Sequence, residues 1–124
     1  MLCINIYILD YGAYSGIMYT MTRDELFQLH EDICRRALVI MRHKSADYAS
    51  GTDPFANFKR GEILGFASAE EGLMLRVVDK ISRISTFLKK GELKVGNETV
   101  QDSILDVINY MILLQGLLED KETK

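Results

Sequence analysis

Asp102, Asp106 and Asn109 stand at i, i+4 and i+7 in the run Asp102-Ser103-Ile104-Leu105-Asp106-Val107-Ile108-Asn109-Tyr110, which is otherwise almost wholly apolar. On a helix these three polar groups form one stripe. Burying a carboxylate such as Asp106 unpaired costs several kcal/mol, so the stripe calls for a cation, a metal or a charged ligand opposite it. One helix upstream, Arg76, Lys80 and Arg83 repeat the same spacing, with Asp79 at the border of their face. Facing acidic and basic stripes make either an interhelical ion-pair network or the wall of a site for a charged small molecule, and the spacing is equally compatible with both.

A second chemical signal lies in the long connection from Tyr48 to Ala67, where Asp53-Pro54-Phe55-Ala56-Asn57-Phe58 sets two aromatics three apart around an Asn. Phe rings offer stacking faces for a nucleobase, and an Asn amide reads a base edge with donor and acceptor together. The alternative is that Phe55 and Phe58 plug the connection onto the core and Asn57 makes a turn. Other chemistries find less support. No Gly-rich phosphate loop occurs. His30 and His43 are isolated, and no Ser lies in a nucleophile elbow. Cys3 and Cys34 lack zinc-ligand spacing and read as reduced thiols. Magnesium remains open, because helix carboxylates such as Asp102 and Asp106, with Glu70, Glu71, Asp79 and Asp47 in reserve, are a common means of holding phosphates through a divalent ion. Cations at Arg76, Lys80 and Arg83 make direct phosphate recognition the simpler use of that region.

The elements that must carry these groups are helical. Thr22-Arg23-Asp24-Glu25 and Ser68-Ala69-Glu70-Glu71 both fit capping boxes. The first predicts a helix to about His43, with Leu26, Leu29, Ile33, Ala37 and Ile40 inward; the second predicts one to about Lys89, with Leu73, Val77, Ile81, Ile84 and Leu88 inward. Gly91 ends the second, and Asn97 or Thr99 caps a third that runs to about Glu119. Three long helices in an all-α domain over residues 22–120 are therefore expected, with 121–124 a polar tail. Residues 1–21 read either as a short hairpin or as an appendage before a natural start at Met21, the second slightly favoured.

At 124 residues and 48% hydrophobic, the chain suits one compact core. A net charge of -3 argues against a duplex-binding surface. The N-terminal run lacks the basic start of a signal peptide and is too interrupted to span a bilayer, so a cytoplasmic, non-membrane protein is expected. Helices one and three are apolar over more than one face, which predicts a homo-oligomer.

Four segments in one order resemble the phage and prophage family called nucleotide modification associated domain, related to the all-α MazG-like nucleotide pyrophosphohydrolases. They are Lys44-Ser45-Ala46-Asp47-Tyr48, Asp53 to Phe58, Arg76 to Arg83, and Gln101 to Tyr110. The resemblance spans His30 to Leu118. It implies a MazG-like helical fold, and a nucleotide, a cyclic nucleotide or a nucleotide-derived signal as partner, inside an infected or lysogenic bacterial host. The wider group typically carries an E-x-x-E motif on one helix and E-x-x-D on the next to bind magnesium. This sequence departs from both, having Arg76, Asp79, Lys80 and Arg83 in place of a glutamate ladder and Ser103 three residues before Asp106.

Binding without hydrolysis, and with no required cofactor, is accordingly the favoured expectation. Arg76, Lys80 and Arg83 would meet phosphate, Phe55, Asn57 and Phe58 the base, and Asp102, Asp106 and Asn109 the ribose or the cationic stripe. Lys44, Asp47 and Tyr48 join the site through the first matching segment. The rivals are a magnesium-dependent nucleoside triphosphate pyrophosphohydrolase using Asp79, Asp102 and Asp106, and a structural helical adaptor held by internal salt bridges.

Overall fold

Hydroxyl-led capping boxes begin three of the helices. In the computed structural model, which describes residues 20–48, 51–93 and 96–123, the Thr22 and Glu25 side chains each accept the other's backbone N–H, at 3.2 and 2.6 Å, and α1 (Arg23–Tyr48) follows. Ser68 and Glu71 do the same ahead of α3 (Ala69–Lys90), and Thr99 and Asp102 ahead of α4 (Val100–Glu122). Each box satisfies two amides that the first helical turn leaves without a partner. At the far end of α3, Gly91 takes a left-handed conformation, φ 74°, which a residue without a Cβ adopts cheaply.

Three helices were expected from the sequence, and the described residues form four. The additional α2 (Ala56–Ile63) lies inside the connection between α1 and α3. It starts where the Asp53 side chain accepts the Phe55 N–H at 2.9 Å, and the Phe55 carbonyl then accepts from Phe58 and Lys59. At its end, bonds from Gly65 to the Glu62 carbonyl and from Phe66 to the Gly61 carbonyl make a Schellman closure, with Gly65 at φ 78°. Eight residues without a capping side chain give a weak periodic signal, so α2 is hard to read from sequence. The outer limits also move, since α1 continues past His43 to Tyr48 and α4 past Glu119 to Glu122, taking in the first two residues of the expected tail. The N-terminal hairpin or appendage and Cys3 lie outside the described residues. Among those described, Cys34 is free and exposed, and no helix is long and apolar enough to cross a membrane.

Helix α4 is the central element, packed against both α1 and α3, while α2 packs on α3. Pairings of Lys80 with Asp106 and of Glu70 with Lys121 make α3 antiparallel to α4. Lys44 with Asp106, and the Ala37 carbonyl with Asn109, make α1 antiparallel to it as well. At one end Phe55, Ala69 and Leu117 form a buried cluster, with Phe58 and Leu113 packed on it. Gly116 permits this contact, because a Cβ there would come within 3.2 Å of the Phe55 ring. Leu73, Val77 and Leu105 continue the core, and among the described residues of α1 Ala37 is buried.

The expected inward positions are only partly covered. Leu26 of α1 and Ile81 and Leu88 of α3 are more than half exposed, because the neighbours of each helix cover a stripe narrower than its apolar face. Phe55→Ala is expected to destabilise the fold by about 3 kcal/mol, as for other large aromatic deletions from a core. Chemical denaturation measures this, and a loss below about 1 kcal/mol would contradict the role assigned to the Phe55 cluster.

Candidate functional site

The carboxylate of Asp106 meets cations from two helices. Its Oδ1 accepts from Lys44 Nζ of α1 at 2.7 Å, and its Oδ2 lies 3.0 Å from Lys80 Nζ of α3. The Asp106 side chain is 12% exposed and that of Lys80 13%, whereas Lys44 is 51% exposed. Burial pushes the Asp106 carboxyl up, but hydrogen bonds and charge from Lys44 and Lys80 outweigh it, so the group titrates below the ordinary value of 3.8. The facing stripes inferred from sequence do meet here, and Asp106 has the cationic partner that its apolar neighbours demanded.

Glu98, in the link between α3 and α4, was not among the residues singled out from sequence. It accepts from Lys80 at 2.6 Å and pairs with Arg83, which also reaches Asp79 at 3.2 Å. Lys80 and Arg83 are therefore engaged by protein carboxylates. A search of helix faces alone passes over Glu98, and its one sequence signal is that it immediately precedes the Thr99 cap.

Arg76, the third cation of the stripe, is different. It is exposed, carries no ion pair among the described residues, and lines an open cleft of about 570 Å³. Around it stand Lys44 and Met41 of α1, Pro54, Asn57, Phe58 and Arg60 from the α2 region, and Asp106, Asn109, Tyr110 and Leu113 of α4. Arg60 likewise has no ion pair among the described residues. Asn109 is buried; its Nδ2 donates to the Ala37 carbonyl at 2.9 Å, while its Oδ1 is a buried acceptor without a hydrogen-bond partner among the described residues.

Of the residues anticipated for a ligand, the cleft gathers Lys44, Asn57, Phe58, Arg76, Asp106 and Asn109. The others lie elsewhere. Phe55 is in the core cluster, Lys80, Arg83 and Asp79 belong to the ion-pair network, and Asp102 is the N3 residue of the α4 capping box. The side chains of Asp47 and Tyr48 lie outside the described residues. Arg60 and Tyr110 are additions. Arg60 becomes a cleft residue once α2 is helical, because it then stands one turn from Asn57.

Asp102 and Asp106 do not fit a magnesium site in this arrangement. One Asp102 oxygen accepts from the Thr99 N–H and hydroxyl, both at 2.8 Å, and these bonds hold its carboxyl below the ordinary value. Both Asp106 oxygens face ammonium groups that a metal would have to displace. Among the described residues no group of three or more His, Cys, Asp and Glu side chains is placed to hold an ion. Compared with protein families, with characterised proteins and with solved structures, the chain matches none.

Asp106→Ala is expected to cost about 2 to 3 kcal/mol, less than the loss of a wholly buried pair because Lys80 keeps Glu98. The sign with pH follows from the lowered titration of Asp106 and Asp102. Their stabilisation is complete above the unfolded value near 3.8 and is lost as pH falls through the lower folded values. Denaturation between pH 7 and pH 3 should show a steeper acid decline for the wild type than for Asp106→Asn, and identical slopes would contradict the assignment.

Proposed function

We propose that the protein binds a nucleotide or a nucleotide-derived small molecule in the cleft between α1, α2, α3 and α4, and does so without hydrolysing it. The observation that carries this reading is the pair of guanidiniums, Arg60 and Arg76, that have no ion pair among the described residues and reach one cleft from different helices. Guanidinium forks suit phosphate oxygens. On the same walls Phe58 and Tyr110 offer ring surface for a base, and Asn57 offers an exposed amide. A volume of about 570 Å³ falls in the usual range for small-molecule sites.

The phosphate contacts accordingly move from Arg76, Lys80 and Arg83 to Arg76, Arg60 and Lys44. Binding is preferred to hydrolysis because, of the three carboxylates that the enzyme reading needs, Asp102 and Asp106 are hydrogen-bonded to Thr99 and to lysines and Asp79 pairs with Arg83. As a MazG-like phage or prophage protein, it would serve modified-nucleotide metabolism or sequester a host signalling nucleotide.

A thermal-shift screen of mono-, tri- and cyclic nucleotides, with and without magnesium, tests the reading. At least one is expected to raise the melting temperature and to be recovered unchanged by chromatography. Arg76→Ala is expected to weaken that ligand about ten- to a hundredfold, the size of a lost charge-assisted bond. Absence of any shift across the panel would overturn it.

Self-association belongs to the same proposal. Met74, Val78, Ile81 and Leu88 of α3 are exposed at spacings of four, three and seven, and Ile104, Met111 and Leu118 of α4 at seven, the recurrence of a helix-packing seam. Light scattering is expected to give a multiple of the 14.1 kDa chain mass. A monodisperse monomer at micromolar concentration would contradict it.

A further inference from the structure

We infer that the cleft selects a terminal phosphate carrying two negative charges over a singly charged phosphodiester. The inference rests on the nucleotide reading and narrows it to ligands that end in a free phosphate.

Charge on the cleft wall comes from each helix in turn: Lys44 from α1, Arg60 from α2, Arg76 from α3 and Asp106 from α4. Among the described residues, three cations against one carboxylate leave two positive charges uncompensated within the lining. Asp106 does not draw on the guanidiniums, since its oxygens are met by Lys44 and Lys80. The excess is local, because the chain as a whole carries a net charge of -3. An anion that neutralises this wall needs two charges.

Hydrogen-bonding capacity points the same way. Each guanidinium presents a planar fork of parallel donors, and Lys44 adds an ammonium that is half exposed and able to turn from Asp106 toward an incoming anion. A terminal phosphate presents three oxygens to these donors. A phosphodiester within a ring presents two free oxygens and one charge.

Calorimetric titration of the full chain with each ribonucleoside 5′-monophosphate and its 3′,5′-cyclic counterpart, at pH 7.5 and low salt, reads the selectivity directly. Inorganic pyrophosphate serves as a probe without a base. At least one 5′-monophosphate is expected to bind about tenfold or more tightly than its cyclic counterpart. Arg60→Ala and Arg76→Ala should each shrink that ratio, while Lys89→Ala, which removes an exposed charge at the far end of α3, should leave it unchanged. Both arginines are exposed and unpaired among the described residues, so the variants should keep the wild-type melting temperature.

Equal or tighter binding of the cyclic nucleotide, or a ratio that survives the double arginine variant, would overturn the inference and leave the nucleotide reading standing. Pyrophosphate bound through Arg60 and Arg76 without any nucleotide binding would support the doubly charged phosphate site and overturn the nucleotide reading. Failure of every probe to bind at millimolar concentration would overturn both.

Discussion

A carboxylate amid Leu105, Val107 and Ile108 must find cations or lose its charge, and Asp106 finds two. Because Lys44 comes from α1 and Lys80 from α3, satisfying one side chain fixes both flanking helices against α4. Asp106 and Glu98 also neutralise Lys80, and Glu98 neutralises Arg83, so the basic stripe of α3 is divided. Its C-terminal part supports the fold, and Arg76, one turn earlier, has no ion pair among the described residues and stands beside the cleft.

The opposite end of α4 depends on packing rather than charge. Phe55 closes onto Ala69, Leu117 and the bare backbone at Gly116, and Lys59 stands 5.5 Å from the centre of its ring while bonding Asp53. Asp53 holds the Lys59 ammonium above its ordinary range. With Phe55 and Lys59 committed to the core side, Asn57, Phe58 and Arg60 line the cleft. The surface pair of Lys121 and Glu70 adds little to stability, but it keeps α3 and α4 in register at this end. Cleft geometry thus follows from two anchors, one ionic and one aromatic, at separate heights on α4.

What the sequence made legible was what repeats within a turn or two. The capping boxes of α1 and α3, the end of α3 at Gly91 and the meeting of Asp106 with the basic stripe follow from local spacing, whereas the choice of Thr99 over Asn97 as the cap of α4, and its box with Asp102, came from the structure. Helix α2 was hidden because eight residues carry too few apolar repeats, and its start depends on an Asp53 side-chain bond rather than on a capping hydroxyl. The division of labour within the arginine and lysine stripe was hidden for another reason. Which cation is neutralised depends on Glu98, a link residue brought into place only when α3 and α4 pack. Phe55 and Phe58 show the same limit, since their spacing leaves open which ring enters the core and which faces the cleft.

Coupling at Asp106 is the claim on which the rest turns, and double-mutant cycles measure it without reference to any ligand. Stabilities of the wild type, Lys80→Met, Asp106→Asn and the double variant give one coupling energy, and the same set with Lys44→Met gives the other. The mostly covered Lys80 partner should couple to Asp106 by about 1.5 to 3 kcal/mol and the half-exposed Lys44 partner by about 0.5 to 1 kcal/mol. Coupling of both lysines within about 0.3 kcal/mol of zero would contradict the account, because neither α1 nor α3 would then be held to α4 through this carboxylate.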